Sequence, residues 1–330
     1  MRWMKFLTVS FCFSFLGAKA FAGTHSEIRR DTIPAGDSAA SSVKQNNFIS
    51  LDSAFGKTFE KNVPLPAEGF FALFHPREKF YKTTSISSVT HLNVMEQDVS
   101  YATQAALTTQ YTVSDTLDDR CTFNVAVTKL NTQVEAMGVQ LQYNSQDSTQ
   151  DTTSAFAKSL LDVVNKTIRV GVDTNGVIRS IDTSDTGKKL SAILAGLAIS
   201  DNDFQAGNDF GLMLNHNVDS LSLGQSWSDS IVFSNGNKRI ITYTVQSLLN
   251  NEIVLIVTGS LIQKGVVQSG GRAFPTDFTG TQLGKIVASK STRLVKLRNI
   301  TYSLKGVVQV DGKDCPASAT SKINEIITPE

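Results

Sequence analysis

The sequence predicts an α+β protein, a large antiparallel β-sheet with a helical insert covering one face. Three observations predict it. Apolar residues recur at every second position through 86–143 and again from about 231 to 310, the period of strands with one covered face. Between these stretches, helical spacing appears at 156–164, 190–197 and 203–214, on either side of a hairpin at 168–181. Asn-Gly and Asp-Gly pairs punctuate the strand-like text as hairpin turns. Strands, then helices, then strands is an α+β order.

The first element is an export signal. Arg2 and Lys5 precede an uncharged apolar run at 6–17, and Ala20-Phe21-Ala22 sets small residues where signal peptidase reads them. Cleavage falls before Gly23, or before Phe21 if Ala18-Lys19-Ala20 is used. The run is shorter than the ~20 residues that span a bilayer. Cys12 follows Val9-Ser10-Phe11, without the small residues that a lipoprotein signal needs. Residues 1–22 therefore read as a signal peptide, and the expected location is periplasmic or secreted, with no membrane span. Residues 23–66 are polar and small, as in Asp37-Ser38-Ala39-Ala40-Ser41-Ser42, and read as a flexible leader. A single β-rich domain is expected over 67–330, with Phe70-Phe71-Ala72-Leu73-Phe74 docking on it.

Within that domain Ile86, Ser88, Thr90, Leu92 and Val94 share one strand face. Leu107, Thr109, Tyr111 and Val113 share the next, and Cys121, Phe123, Val125 and Val127 the clearest. Val139, Leu141 and Tyr143 continue the alternation. Phe156, Leu160, Val163 and Val164 then mark a helix with Thr153 or Ser154 as its N-cap, and Leu190, Ile193, Leu194 and Leu197 mark a second. A weaker third runs over 203–214, diluted by Gly207 and Gly211. Asn175-Gly176 and Asn235-Gly236 turn hairpins. Residues 252–257, apolar on both faces, predict a central strand, and 260–282, with Gly270-Gly271 and Pro275, reads as a long loop. In the last strand Val295 and Leu297 are apolar at odd positions but Ile300, Tyr302 and Leu304 at even ones. A bulge or bend near Arg298-Asn299 is therefore expected. Asp311-Gly312 turns into the tail.

Loss of 1–22 removes Arg2, Lys5 and Lys19 and no acid, which lowers the formal charge from +1 by three, to −2. A near-neutral chain lacks the basic footprint of a nucleic-acid partner. His25, His75, His91 and His216 lack the i+3 or i+4 spacing of a zinc site. Asp173-Thr174-Asn175-Gly176 departs from a calcium loop, with its glycine fourth and Ser184 at position twelve. Gly280-Thr281-Gln282-Leu283-Gly284-Lys285 is one residue short of a phosphate loop and is followed by Ile286. Gly224-Gln225-Ser226-Trp227 lacks the closing glycine of a nucleophile elbow. Asn165-Lys166-Thr167 and Asn299-Ile300-Thr301 fit the glycosylation sequon, at the frequency chance allows in a chain rich in Asn and Thr. The acid pairs Asp118-Asp119 and Asp201/Asp203 read as caps and turns, with no base or nucleophile assignable beside them. No cofactor is expected, and no enzymatic activity. Cys121 and Cys315 are either one disulfide or two separate thiols.

The run Leu223-Gly224-Gln225-Ser226-Trp227 stands before a Tyr243-centred strand and the apolar 253–257 strand. Upstream come the Phe156 helix, Val170-Gly171-Val172, an Asn-Gly turn and Val177-Ile178. This order resembles a group of uncharacterised secreted bacterial proteins and, more remotely, the lipoprotein-carrier type of fold. The resemblance implies a curved antiparallel half-barrel whose concave face is covered by helices, set in a bacterial envelope, with an apolar cavity. It transfers no catalytic residue. The leading expectation is a non-enzymatic envelope protein binding an apolar or amphipathic ligand, a lipid or hydrophobic small molecule, between sheet and helices. The candidate lining is Phe123, Val125, Phe156, Leu160, Leu194 and Leu197, and the alternative for the same residues is an ordinary packed core. The rival function is a protein-interaction or structural module meeting another envelope protein.

Overall fold

The structure, a computed structural model, describes residues 28–29, 74–94, 97–117, 120–136, 138–149, 154–161, 164–173, 176–182, 209–214, 221–232, 237–269 and 272–330. A two-residue strand β1 (Ile28–Arg29) precedes β2 (Lys79–Val94), β3 (Gln97–Leu117), β4 (Arg120–Ala136) and β5 (Val139–Asn144). The helix α1 (Ala155–Leu161), β6 (Thr167–Asp173) and β7 (Ile178–Ile181) follow. The last half comprises β8 (Ser226–Val232), β9 (Lys238–Ser247), β10 (Glu252–Ser269), β11 (Arg272–Ser289), β12 (Val295–Val310) and β13 (Lys313–Pro329). All thirteen strands join one sheet in the order β1-β8-β9-β10-β11-β12-β13-β2-β3-β4-β6-β7, with β5 beside β4 off that path. Every strand pairing is antiparallel. The chain enters near the middle of its sheet at β2, meanders out to β7, reappears at the far edge and returns until β13 pairs with β2.

Alternation makes this a one-core sheet. Phe80, Lys82, Thr84, Ile86, Ser88 and Leu92 of β2 are buried, and the residues between them are half-buried or exposed. On β13 the buried set is Cys315, Ala317, Ala319, Ser321, Ile323, Glu325 and Ile327. The outward positions of these strands, such as Thr83, Ser85, Ser87, Thr320, Lys322 and Asn324, are mostly polar. The inner face is closed by the sheet itself. Residues from seven consecutive strands, β9 through β3, line one cavity. Seven flat strands would be about 29 Å wide at ~4.8 Å spacing, so the sheet must curl. Inward glycines permit the curl. A Cβ on Gly306 would lie against the Asp277 carbonyl oxygen and 2.7 Å from Phe278 Cα, so only a glycine tolerates that approach of β11.

Several expectations hold. Ser154 is the N-cap of α1, its Oγ accepting from Ala157 N–H at 3.1 Å. Gly176 turns the β6–β7 hairpin with φ 74°, and its N–H donates to Asp173 O at 2.9 Å. Phe74 is buried and packs edge-on against Phe80 and Phe123. The change of parity in β12 is resolved by an extra residue, Lys296, because Ala288 pairs with Val295 but Val287 pairs with Leu297. The irregularity lies two residues before Arg298, and Leu297 turns outward, half-buried.

The helical insert is the main correction. The described residues hold one seven-residue helix, α1, and a large, purely antiparallel sheet, so the fold is mostly β and not α+β with helices over one face. The stripe Leu190/Ile193/Leu194/Leu197 lies outside the described residues. The end of the third expected helix is extended: Asp209 bridges Val177, Met213 bridges Leu294, and Gly211 has φ 79°. Its backbone groups find partners across the sheet, as in Val295 N–H to Leu212 O at 2.8 Å and Leu214 N–H to Arg293 O at 3.0 Å. Those bonds satisfy the chain as a helix would, and a helix-like apolar spacing does not distinguish the two. The expected loop at 260–282 is also corrected. It forms the facing halves of β10 and β11, with Ser269 opposite Arg272. Gly270-Gly271 is a two-residue hairpin signal, and Pro275 sits just outside the span that pairs with β12. The tail after Asp311-Gly312 is a full strand, β13.

The two cysteines are free and buried. The register separates them. Cys121 lies opposite Thr116, past the Lys79 end of β2, and Cys315 lies past the Leu92 end. The thirteen residues from Lys79 to Leu92, at ~3.4 Å each, separate them by more than about 40 Å along the strands, far beyond the ~7 Å a disulfide allows.

Candidate functional site

The cavity inside the curl sets charged and polar groups among aliphatic ones, where the sequence led us to expect apolar walls. Arg298 of β12 stands directly opposite Glu325 of β13, and Lys82 of β2 lies diagonally beyond it, two residue pairs along from Thr84. Glu325 holds both cations: Lys82 Nζ to Oε1 at 3.2 Å and Arg298 Nη1 to Oε2 at 3.2 Å. All three side chains are largely buried, Glu325 and Lys82 at 9% and 8% exposure. Burial pushes the Glu325 carboxyl up, but Lys82 and Arg298 together outweigh it and hold the group below its ordinary value. Arg298 also donates from Nη2 to Gly211 O at 3.3 Å, tying the crossing segment 209–214 to the sheet. Lys82 Nζ lies 6.0 Å from the centre of the Tyr111 ring, at the limit of a cation–π contact.

The bulge at Lys296 creates this arrangement. Without it the inward parity of Val295 would continue through Leu297 and turn Arg298 to solvent. With it, Arg298, Ile300 and Tyr302 all line the cavity.

On the β9 wall stand Arg239, Ile241 and Tyr243. Tyr243 stacks on Trp227 with ring centres 5.3 Å apart. Burial first, then Asp209 and Asp229, raise its hydroxyl well above the ordinary value, so it stays a donor. Gln282 of β11 is 3% exposed, and neither its Nε2 nor its Oε1 meets a hydrogen-bonding partner among the described residues. Thr84 Oγ1 on the opposite wall is likewise unmatched. Gly259 makes room for Gln282, since a Cβ there would stand 2.8 Å from Gln282 Cγ and against the Ile240 carbonyl oxygen. The cavity measures about 70 Å³, space for a few waters or a small polar group and well short of the ~300 Å³ of a typical ligand pocket.

Of the six residues expected to line a site, three have described side chains, and these lie in the core. Phe123, Val125 and Leu160 are buried in the main apolar cluster, where Phe123 contacts the Phe74 and Phe210 rings at 5.4 and 4.6 Å between centres. Phe156 lies on α1, and Leu194 and Leu197 are outside the described residues. Of Phe123, Val125 and Leu160, none is among the cavity's lining residues. The missed signal was a charge at an apolar-parity position. Lys82 falls in step with Phe80 and Ile86, Arg239 with Ile241, and Glu325 with Ile323 and Ile327.

Fold and site define a curled antiparallel β-protein with mostly polar outward positions on β2 and β13, an apolar core and a charged cavity within it. No family model matches this chain, and no curated protein does. Among solved structures it is similar to lipovitellin, described through its lipid–protein interactions, at 12% identity and TM-score 0.41 over 77% of this chain. The chain spans 25% of the lipovitellin chain. It is also similar to an outer-membrane channel from Pseudomonas putida F1 (7% identity, TM-score 0.25, 81% of this chain and all of that one). A third match is Pseudomonas aeruginosa OccK7 (9% identity, TM-score 0.21, 78% of this chain and 100% of that one). These likenesses amount to a large antiparallel sheet and assign no function. The lipoprotein-carrier resemblance reduces to that same broad likeness, because among the described residues no helix covers the inner face and the sheet curls over itself.

Proposed function

We propose that this is an exported, non-enzymatic binding protein of the cell envelope that holds a small ligand, or the polar head of an amphipathic one, inside the curled sheet. The observation that carries the reading is the Gln282 amide, buried in a central strand with neither end matched. Such a group is costly to keep in a core that serves packing alone. The charged groups around it support binding over catalysis, because Glu325 is held ionised by two cations and its oxygens are engaged, which suits it poorly for proton transfer. The signal-like residues 1–22 and the mostly polar outward positions of β2 and β13 support a periplasmic or secreted, water-facing setting. The interaction-module reading gains less support. The sheet path ends in β1 and β7, two and four residues long, which offer little edge for strand addition.

Native mass spectrometry of protein purified from its own host tests the proposal. The expected result is a stoichiometric bound species released on unfolding. A bare mass in every preparation, with a protein partner captured instead, would overturn it.

A further inference from the structure

The surroundings of Gln282 specify the ligand's chemistry further, on the strength of that binding reading. We propose that the cavity takes a vicinal diol, either a free small polyol such as glycerol or the glycerol head of a monoacylglycerol. The run Gly280-Thr281-Gln282-Leu283-Gly284, which fails as a phosphate loop, builds the cradle. On the inward face of β11 the residues on either side of Gln282 are Gly280 and Gly284, and across from it on β10 is Gly259. Three positions that could cover a buried amide thus carry no side chain, as where a ligand or another backbone comes close. The Gln282 amide is 3% exposed and lines the cavity, with neither its donor nor its acceptor matched among the described residues. Thr84, 4% exposed on the opposite wall, adds a hydroxyl that is likewise unmatched.

The charges around the amide point to a neutral guest. Lys82, Arg239 and Arg298 share the lining with Asp209 and Glu325, and Asp229 acts on Tyr243 in the same wall. Three cations and three carboxylates balance, so an entering ion would lose its water with no net opposite charge to meet it. A guest for Gln282 must instead offer an uncharged donor and acceptor side by side. Two hydroxyls on adjacent carbons do so, one donating to Oε1 and the other accepting from Nε2. A hydroxyl also serves Thr84 in either sense, and the C–H surface of a polyol suits the aliphatic groups of Ile241, Val257, Ile286 and Ile300. Space for a few waters suits the few atoms of a glycerol unit.

Trp227 reports on the site, because it stacks on Tyr243 in the cavity wall, and the chain's other tryptophan, Trp3, lies within 1–22. The test titrates protein lacking 1–22 and follows Trp227 fluorescence. The probes are glycerol, 1,2-propanediol and its isomer 1,3-propanediol, then acetate and acetamide, then 1-monooctanoylglycerol against methyl octanoate. A saturable response to the vicinal diols is expected, with 1,3-propanediol weaker by roughly tenfold, about the worth of one buried hydrogen bond. Acetate, acetamide and methyl octanoate should give none. Response to the free polyols marks a free-polyol site, and response to 1-monooctanoylglycerol alone marks a lipid head. Gln282→Leu, which removes the amide and keeps the bulk, should weaken binding roughly tenfold or more. Its melting temperature should equal or exceed that of the parent, so lost binding is not lost folding. Thr84→Val keeps the side-chain shape, should weaken binding several-fold, and carries the test if Gln282→Leu does not fold. A folded parent that responds to no vicinal diol overturns the proposal, as do equal responses to the two propanediols or unchanged binding in the folded variant. A bound species without adjacent hydroxyls, found by native mass spectrometry, would end the diol assignment and leave the binding reading standing. A bare mass together with no titration response would end both.

Discussion

Glu325 carries the largest electrostatic stake of any described residue, since two cations converge on it below the surface. Its folded-state pKa lies under the ordinary value of 4.5. The stabilisation it provides is therefore complete above pH 4.5 and is lost as the pH falls through the depressed folded value. Glu325→Gln leaves Lys82 and Arg298 without their shared counter-charge, and removal of one partner of a buried pair costs ~3–5 kcal/mol at neutral pH. Urea midpoints from pH 7 to pH 3 should show the parent converging on the variant only at the acid end. A gap that stays constant over that range would mean that Glu325 is not ionised at neutral pH. The cysteines make a second residue-scale case. Burial, helped by Asp115 and Glu78, pushes the Cys121 thiol up to about 12. A thiol reagent at pH 8 should therefore leave Cys121 unmodified in the native protein. In denaturant, without reductant, protein lacking 1–22 should titrate two thiols; a count of zero would show a disulfide and contradict the strand register.

At the scale of the element, one inserted residue decides which way β12 faces. The Lys296 side chain is exposed and its ion pair with Glu252, 2.8 Å long, lies at the surface. Lys296→Ala should cost no more than ~1 kcal/mol. Deleting Lys296 is a different change, because it restores unbroken alternation and either turns Arg298, Ile300 and Tyr302 to solvent or forces Val295 out of the core. The deletion should destabilise several-fold more than the alanine variant in chemical denaturation, and equal effects would show that the bulge does not set the inward face. The parity conflict was legible in the sequence, and its consequence was not. Val295 against Ile300 and Tyr302 announces an irregularity, but only the pairing with β11 shows that the shift carries Arg298 inward to meet Glu325 on the next strand.

For the whole molecule the decisive feature is that the last strand closes onto the first long one. β13 pairs with β2 from Ala317/Leu92 to Pro329/Phe80, and Glu330 reaches Lys79 through a backbone bond of 3.0 Å and a 2.8 Å ion pair. The spatial order is thus a meander from β8 to β13 continued by β2 to β7. A chain permuted to begin near Leu221, run through Glu330 into Phe74 by a short linker and end after Leu214 keeps every neighbour from β2 to β13. It should fold with the same far-ultraviolet circular dichroism and a cooperative melt; an unfolded permutant would show that the continuity of 214–221 is needed. In the natural order β2 must wait for the end of the chain to find β13, so contact order is high and refolding should be slow for the protein's size.

The sequence by itself determined the local facts: period-two alternation, the hairpin turns at Gly176 and Asp311-Gly312, an N-cap at Thr153 or Ser154, the burial of Cys121 with Phe123 and Val125, and the parity break in β12. Each is written within a few residues, where propensity and pattern act. What covers the inner face was decided by the tertiary structure alone. An apolar stripe says that a segment is buried but not against what, and inward glycines such as Gly259 and Gly306 let the described strands curl over themselves. The charged cavity came the same way. Lys82, Arg298 and Glu325 lie up to 243 residues apart in sequence, and each alone reads as a polar interruption in a strand. They become a site only when β12, β13 and β2 lie side by side, because the low-dielectric interior that gives their charges weight belongs to the folded sheet and to no single strand.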